Sequence, residues 1–308
     1  MSTSPIVLTA RRAALVATLV VGAFAASAPA AESDLHHARA HPARWLVSLG
    51  DSLAASVQPN GPLPFNETDR GYAEQLLALL RTREPDVQLK KLGCGGESLR
   101  SMISGSLRPA DGASCGPPEV YAARYRQGTQ LAEAEAFLRA HHGQIAAVTV
   151  ALGANDISDC VGAADVACVK ARLPEAGERL AYILRTLRRA GARLIVGLTY
   201  YNPVLGAWRN GPEGQAFARV TNEALLATDE LLSGVYHTTG ARVADVAEAF
   251  RITDFETHGA AEPLNVTLAC RWTWFCTPPP LGPDVHPNDE GYGVIARVIA
   301  QQIQRGPS

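Results

Sequence analysis

The chain has 308 residues, of which 47% are hydrophobic and 19% are charged. Its 28 Lys and Arg residues nearly balance its 30 Asp and Glu residues, which gives a formal net charge of −2. Because no basic stripe is present, we do not expect nucleic acid as a partner. The length and the apolar content suit one large domain with a full hydrophobic core.

The N-terminal residues have the layout of an export signal. Arg11 and Arg12 precede an apolar run over residues 13–26, and the small-x-small sequence Ala-Pro-Ala follows at 28–30. This order is typical of a secretory signal peptide. We therefore expect a secreted or periplasmic protein without a stable membrane span, because no later apolar run is long enough for one. The expected boundaries are a signal peptide over 1–30, a polar leader over 31–43 and a single domain over 44–308.

Six cysteines fit this export signal, because an even number in an exported chain favours disulfides. Pairing neighbours in the sequence gives the simplest scheme, which is Cys94–Cys115, Cys160–Cys168 and Cys270–Cys276. Other pairings, free buried thiols or a metal site are the alternatives. No C-x-x-C pair occurs, which argues against zinc, and we expect no metal and no cofactor.

Short apolar runs alternate with amphipathic helical patterns along the rest of the chain. Runs that are apolar throughout are typical of strands buried on both faces of a parallel sheet. They lie at 45–49, 87–92, 145–152, 192–198 and 241–246. Apolar stripes at helical spacing occur between them, for example at Leu180, Ile183, Leu184 and Leu187. The alternation predicts an α/β domain with a mostly parallel five-stranded sheet and helices on both of its faces.

In such sheets ligands bind outside the carboxyl ends of the strands, so we look for site residues in the loops after the apolar runs. Ser52 follows the first run directly, and a serine at such a turn can present its hydroxyl at the edge of the sheet. Gly95 and Gly96 follow the second run and can bring backbone N–H groups close to an anion. Asn155 follows the third run, where its amide can donate to a developing oxyanion. His286 precedes the last helical pattern.

Each residue taken alone has a structural alternative. Asp51 or Ser52 can cap a following helix. The glycine pair can form an ordinary tight turn, and Asn155 can satisfy its own loop.

The ordered set is more specific than its parts. The blocks GDSL (50–53), GCGGES (93–98), GAND (153–156) and DVHPNDEGY (284–292) resemble the SGNH hydrolase superfamily, which includes the GDSL esterases and lipases. The resemblance implies a three-layer α/β/α sandwich of the flavodoxin-like type. It also implies ester hydrolysis with Ser52 as nucleophile and His286 as general base. The Ser52 and Gly96 N–H groups and the Asn155 side chain would form the oxyanion hole.

The last block departs from the family pattern. The family's acid stands three residues before the histidine, where this chain has Pro283, and Asp284 stands two residues before His286. Either Asp284 reaches the ring by a different loop path, or a backbone carbonyl near Pro283 orients it. We favour Asp284. We interpret Asp289 as the N-cap of the last helix, with Asn288 as its competitor.

Two other motifs are weaker candidates. Ser114 lies in a G-x-S-x-G sequence, but a polar loop rather than a strand precedes it, so we do not expect it to be a nucleophile. His36, His37 and His41 lack the context of a metal site. The aromatic segments TYYNPV (199–204) and RWTWFCTPPPL (271–281) either line an acyl or alkyl pocket or pack in disulfide-closed loops.

The sequence thus favours a secreted serine esterase or lipase that acts on a small-molecule or lipid ester. Within the same fold, a carbohydrate O-deacetylase is the first alternative. An inactive lipid- or carbohydrate-binding module is the second. We expect a monomer.

Overall fold

The computed structural model of the protein describes residues 44–60, 66–105 and 118–305. The predicted signal peptide and polar leader lie outside these residues, as do Ser114, Cys115 and the three N-terminal histidines.

Five strands coincide with the five predicted apolar runs and form one sheet among the described residues. They are β1 (Trp45–Gly50), β2 (Gln88–Lys91), β3 (Ile145–Ala151), β4 (Ile195–Leu198) and β5 (Arg242–Ala244). All neighbouring pairs are parallel, and the order is β2-β1-β3-β4-β5. The inner strands are buried on both faces, as in Val148, Val150 and Val196, which are fully buried. The predicted sheet is confirmed, and its order is the flavodoxin-like one.

The described helices cover both faces of this sheet. They are α1 (Tyr72–Arg81), α2 (Leu99–Ser104), α3 (Pro118–Arg124), α4 (Gln130–Ala140), α5 (Ser158–Gly162), α6 (Val166–Arg189), α7 (Pro212–Thr238), α8 (Val246–Ala249), α9 (Leu264–Trp272) and α10 (Asp289–Gln304). Right-handed crossovers put α1 and α10, which pack together, on one face. Helices α4, α6 and α7 pack together on the other face. None of these helices combines the length and the apolar character that a membrane span requires.

The strand order determines where a site can form. The chain places β2 on one side of β1 and β3 on the other, so the loops after β1 and β3 leave the sheet in opposite directions. A crevice therefore opens at the carboxyl ends of these two strands. Ser52 follows β1 and Asn155 follows β3, so both lie at this crevice.

Candidate active site

Hydrogen bonds from neighbouring strands hold the turn that carries Ser52. The Asp51 N–H donates to the Ala151 carbonyl at the end of β3, at 2.9 Å. The buried Asp51 carboxylate accepts the Leu53 N–H at 2.9 Å and the Tyr200 hydroxyl at 2.6 Å. Ser52 itself stays half-buried and lines a pocket. Residues 52–56 form turns, so neither Asp51 nor Ser52 caps a following helix.

Asp51 lies in an environment that disfavours its charge. Burial raises the pKa of this carboxyl to about 6, although the Tyr200 hydroxyl, the Leu53 N–H and the nearby His286 ring oppose the rise. The two hydrogen bonds of the Asp51 side chain hold the Ser52 turn from inside the protein, which the sequence did not reveal.

The second loop brings Gly96 close to the first. The Glu97 N–H donates to the Cys94 carbonyl at 3.1 Å and closes a tight turn, in which Gly96 has a φ of +75° that favours glycine. At Gly93, an added Cβ would lie 2.3 Å from the backbone carbonyl carbon of Ala54. Only glycine permits this approach, which sets the second loop directly against the Ser52 turn.

Glu97 ties this second loop to the rest of the site. Its fully buried carboxylate accepts the Ser101 hydroxyl at 2.5 Å and the Gln130 amide at 2.9 Å. The same Gln130 side chain accepts the Gly50 N–H at 2.6 Å and donates to the Gly50 carbonyl at 3.0 Å. Burial raises the pKa of Glu97 to about 7, against the hydrogen bonds from Ser101 and Gln130. The sequence motifs include Glu97 only as part of the block GCGGES and do not point to Gln130.

Asn155 lies in a 3₁₀ segment, Ala154–Asp156, directly after β3. Its amide nitrogen donates to the Glu97 carbonyl at 2.9 Å, so it bonds to the neighbouring loop rather than to its own. One of its two N–H bonds remains for the pocket, which Asn155 lines. The next residue, Asp156, accepts the Leu99 N–H at 2.9 Å at the start of α2. The loops after β2 and β3 are thereby held at a fixed separation.

Asp284 contacts His286 directly. The carboxylate Oδ1 lies 2.8 Å from the His286 Nδ1 and 2.8 Å from the His286 backbone N. Burial opposes the ionisation of Asp284. Even so, the pKa of this carboxyl lies below its usual range, because His286 donates hydrogen bonds to it from its ring and its backbone N–H and the charge of the His286 ring attracts it. With Nδ1 facing Asp284, Nε2 is the ring nitrogen of His286 that this contact does not use.

The loop that carries His286 is anchored on both sides. The Trp274 N–H donates to the His286 carbonyl at 3.0 Å, and the Tyr201 hydroxyl donates to the Val285 carbonyl at 2.8 Å. The disulfide Cys270–Cys276 encloses Trp274. The aromatic segment 271–281 thus supports the histidine loop and does not line the pocket, whereas Tyr200 and Tyr201 of the segment 199–204 do line it.

The N-cap of α10 is Asn288, so the interpretation of Asp289 as the cap is wrong. Asn288 accepts the Gly291 N–H at 3.0 Å. Asp289 accepts instead from Gln58 at 2.7 Å and from Arg70 at 3.1 Å. These distant partners draw its carboxylate away from the helix end.

Ser52, Asn155 and His286 line one pocket with a volume of about 300 Å³. Gly96 and Asp284 are not among its lining residues. Within the described part of the chain, no group of three or more His, Cys, Asp or Glu side chains is arranged to hold a metal ion.

Two of the three expected disulfides are present, Cys160–Cys168 and Cys270–Cys276. The third expected pair, Cys94–Cys115, includes a residue outside the described ones and stays a prediction.

Solved structures resemble this fold. The acetylxylan esterase Axe2 from Geobacillus stearothermophilus aligns with a TM-score of 0.49 at 17% identity over 85% of this chain and 95% of that chain. A catalytic mutant of Axe2 aligns with a TM-score of 0.50 at 16% identity, over 85% of this chain and 94% of that chain. LAE5, an alpha/beta hydrolase from the metagenome of Lake Arreo, Spain, aligns with a TM-score of 0.48 at 19% identity, over 84% of this chain and 94% of that chain. At 16% identity and a TM-score of 0.50, the likeness to the Axe2 mutant shows the fold alone.

Among curated protein sequences, none matches this chain significantly. A model of the GDSL-like lipase/acylhydrolase family, however, matches residues 48–294 and so spans all four sequence blocks. The chain therefore belongs to the GDSL-like lipase/acylhydrolase family and is a carboxylic ester hydrolase.

Proposed function

We propose that the protein hydrolyses esters through an acyl-enzyme on Ser52, with His286 as general base and Asp284 as the group that orients the ring. The observation that carries this proposal is the pair of 2.8 Å contacts between Asp284 and His286, beside a pocket that Ser52 and His286 share. A base oriented in this way can take the serine proton and later return it.

The first half of the reaction forms the acyl-enzyme. The Nε2 of His286 takes the proton of the Ser52 hydroxyl as Oγ attacks the ester carbonyl carbon. His286 then gives this proton to the departing alcohol, and the acyl group stays on Ser52. In the second half, His286 takes a proton from water as the water oxygen attacks the acyl carbonyl carbon. The bond from this carbon to Ser52 Oγ then breaks, His286 returns the proton to Oγ, and the acid leaves.

The oxyanion of each tetrahedral intermediate needs N–H donors. We assign this role to the Ser52 N–H, the Gly96 N–H and the Asn155 amide. The contact of Asn155 with the Glu97 carbonyl supports the assignment, because it fixes the amide beside the turn that contains Gly96. The positive φ of Gly96 and the close approach at Gly93 support it as well.

The site is proposed to act outside the cytoplasm. The two disulfides in the described residues are compatible with an oxidising compartment. The sequence pattern over residues 1–30 is the reason to expect export.

Labelling by a fluorophosphonate probe tests the nucleophile. We expect one adduct on Ser52 and loss of both label and p-nitrophenyl ester hydrolysis in Ser52→Ala. Ser158→Ala is the matched control, because Ser158 lines the same pocket and should still allow labelling of Ser52. An adduct on another serine, or full turnover by Ser52→Ala, contradicts the proposal.

A further inference from the structure

One wall of the pocket is built from apolar side chains. Short helix α5, the 3₁₀ segment Pro203–Asn210 and helix α7 contribute to it. This apolar wall consists of Ile157, Val161, Pro203, Val204, Phe217 and Leu225. No Lys, Arg or Glu is among the described residues that line the pocket. The wall therefore suits a ligand group without charge or polarity.

The polar side chains that line the pocket already form hydrogen bonds within the protein, so few of their donors remain for a ligand. The Tyr200 hydroxyl donates to Asp51 at 2.6 Å, and the Tyr201 hydroxyl donates to the Val285 carbonyl at 2.8 Å. The Asn202 side chain accepts the Val204 N–H at 3.0 Å and also bonds to two residues of α7.

Ser158 follows the same pattern, since its hydroxyl donates to the Asn155 carbonyl at 3.4 Å. Outside the proposed catalytic groups, the polar lining side chains are thus already bonded within the protein. Because these hydroxyl hydrogens are already donated, a carbohydrate in this pocket would find few side-chain donors to replace its bonds to water.

The size of the pocket points the same way. A volume of about 300 Å³ is at the lower end of the range for small-molecule pockets. An acetyl group has only three non-hydrogen atoms, so it would leave much of the apolar wall uncovered. A longer chain would cover the wall and displace water from it.

We infer that the apolar wall binds an alkyl chain of several carbons belonging to the ester, and that the enzyme prefers such esters to the acetates of sugars. The inference rests on the proposed ester hydrolysis at Ser52. The alkyl chain can belong to the acyl half or to the alcohol half of the ester, and the chemistry of recognition is the same for both.

Two substrate series distinguish these halves. The first series varies the acyl chain and consists of p-nitrophenyl acetate, butyrate, hexanoate and octanoate. The second varies the alcohol chain and consists of ethyl, butyl, hexyl and octyl acetate. Acetylated xylose is the carbohydrate probe. Each methylene buried on the wall should raise kcat/KM by up to about fourfold. We expect at least a tenfold rise from acetate to hexanoate, or from ethyl to hexyl acetate. Flat or falling values in both series, or the highest kcat/KM on acetylated xylose, overturn the inference.

Variants of the wall test the assignment to these residues. Val161→Phe should lower the hexanoate-to-acetate ratio of kcat/KM at least tenfold, because the ring fills part of the pocket. Phe217→Ala should move the optimum to longer chains. Val235→Phe is the matched control, because Val235 is also half-buried but does not line the pocket, and it should leave the ratio unchanged.

Fluorophosphonate labelling separates the two possible failures. An enzyme that labels on Ser52 but has an unchanged chain-length ratio in both wall variants contradicts the alkyl-chain inference alone. An enzyme that does not label contradicts the proposed function on which it rests.

Discussion

A single oxygen of Asp284 contacts both the backbone and the ring of His286. The Asp284 Oδ1 lies 2.8 Å from the His286 N and 2.8 Å from its Nδ1. The two-residue spacing thus closes a small ring of hydrogen bonds between the two residues. Asp284 reaches the histidine despite Pro283 at the family's usual position.

Asp284→Asn should lower kcat by more than tenfold and by up to ~10⁴-fold, because an amide can stabilise the wrong tautomer of the ring. Asp284→Ala should lower it as well, and kcat with p-nitrophenyl esters is the measurement. Asp254→Asn is the matched control, since Asp254 forms a comparable contact with the exposed His258 at 2.9 Å. Losses below tenfold in both Asp284 variants would indicate that a backbone carbonyl orients His286.

The fold was predictable because its strands are buried on both faces, so their apolar runs stand out in the sequence. The order of Ser52, Asn155 and His286 along the chain could also be recognised in the sequence. The contact between Glu97 and Gln130 could not be predicted, because the two residues are 33 positions apart and no sequence pattern links them. Tertiary partners also decided between Asn288 and Asp289, which have similar capping preferences.

Asn155→Ala should lower kcat by about 10²–10³-fold, which corresponds to about 2.7–4 kcal/mol of transition-state stabilisation. KM should change little, because the oxyanion exists only after attack. Steady-state kinetics of the purified variant measure both constants. Asn210→Ala, an exposed asparagine on the 3₁₀ segment Pro203–Asn210, is the control and should match the wild type. A change in KM alone would place Asn155 in substrate binding instead.

Removing Cys270–Cys276 by a double Ser substitution should cost about 2–3 kcal/mol of unfolding free energy, since the bond closes a short loop. It should also lower kcat, because the loop contains Trp274, whose N–H holds the His286 carbonyl. Urea unfolding and steady-state kinetics measure the two effects.

The double Ser variant of Cys160–Cys168 is the comparison for this disulfide. It closes a loop of similar length, so we expect a similar loss of stability. Its effect on kcat with p-nitrophenyl acetate should be smaller, because it does not enclose the support of His286. Equal losses of kcat in both variants would contradict the anchoring role of Trp274.

Glu97→Gln should remove a pH-dependent cost of folding. Burial raises the pKa of Glu97 from 4.5 to about 7, so between these values the unfolded chain releases a proton that the folded protein keeps. The wild-type stability therefore falls as the pH rises through this window, by up to about 3 kcal/mol from this group, and the loss is complete above pH 7. The amide of the Glu97→Gln variant cannot ionise and resembles the protonated acid, because it can donate to Ser101 and accept from Gln130.

Urea unfolding at pH 5 and pH 8 measures this effect of Glu97→Gln. The variant should be close to the wild type at the lower pH and more stable than it at the higher pH. Glu178→Gln, at an exposed position, should show no such difference between the two pH values. If Glu97→Gln is equally destabilised at both, the carboxylate is bound in its charged form, and its hydrogen bonds with Ser101 and Gln130 outweigh the cost of burial.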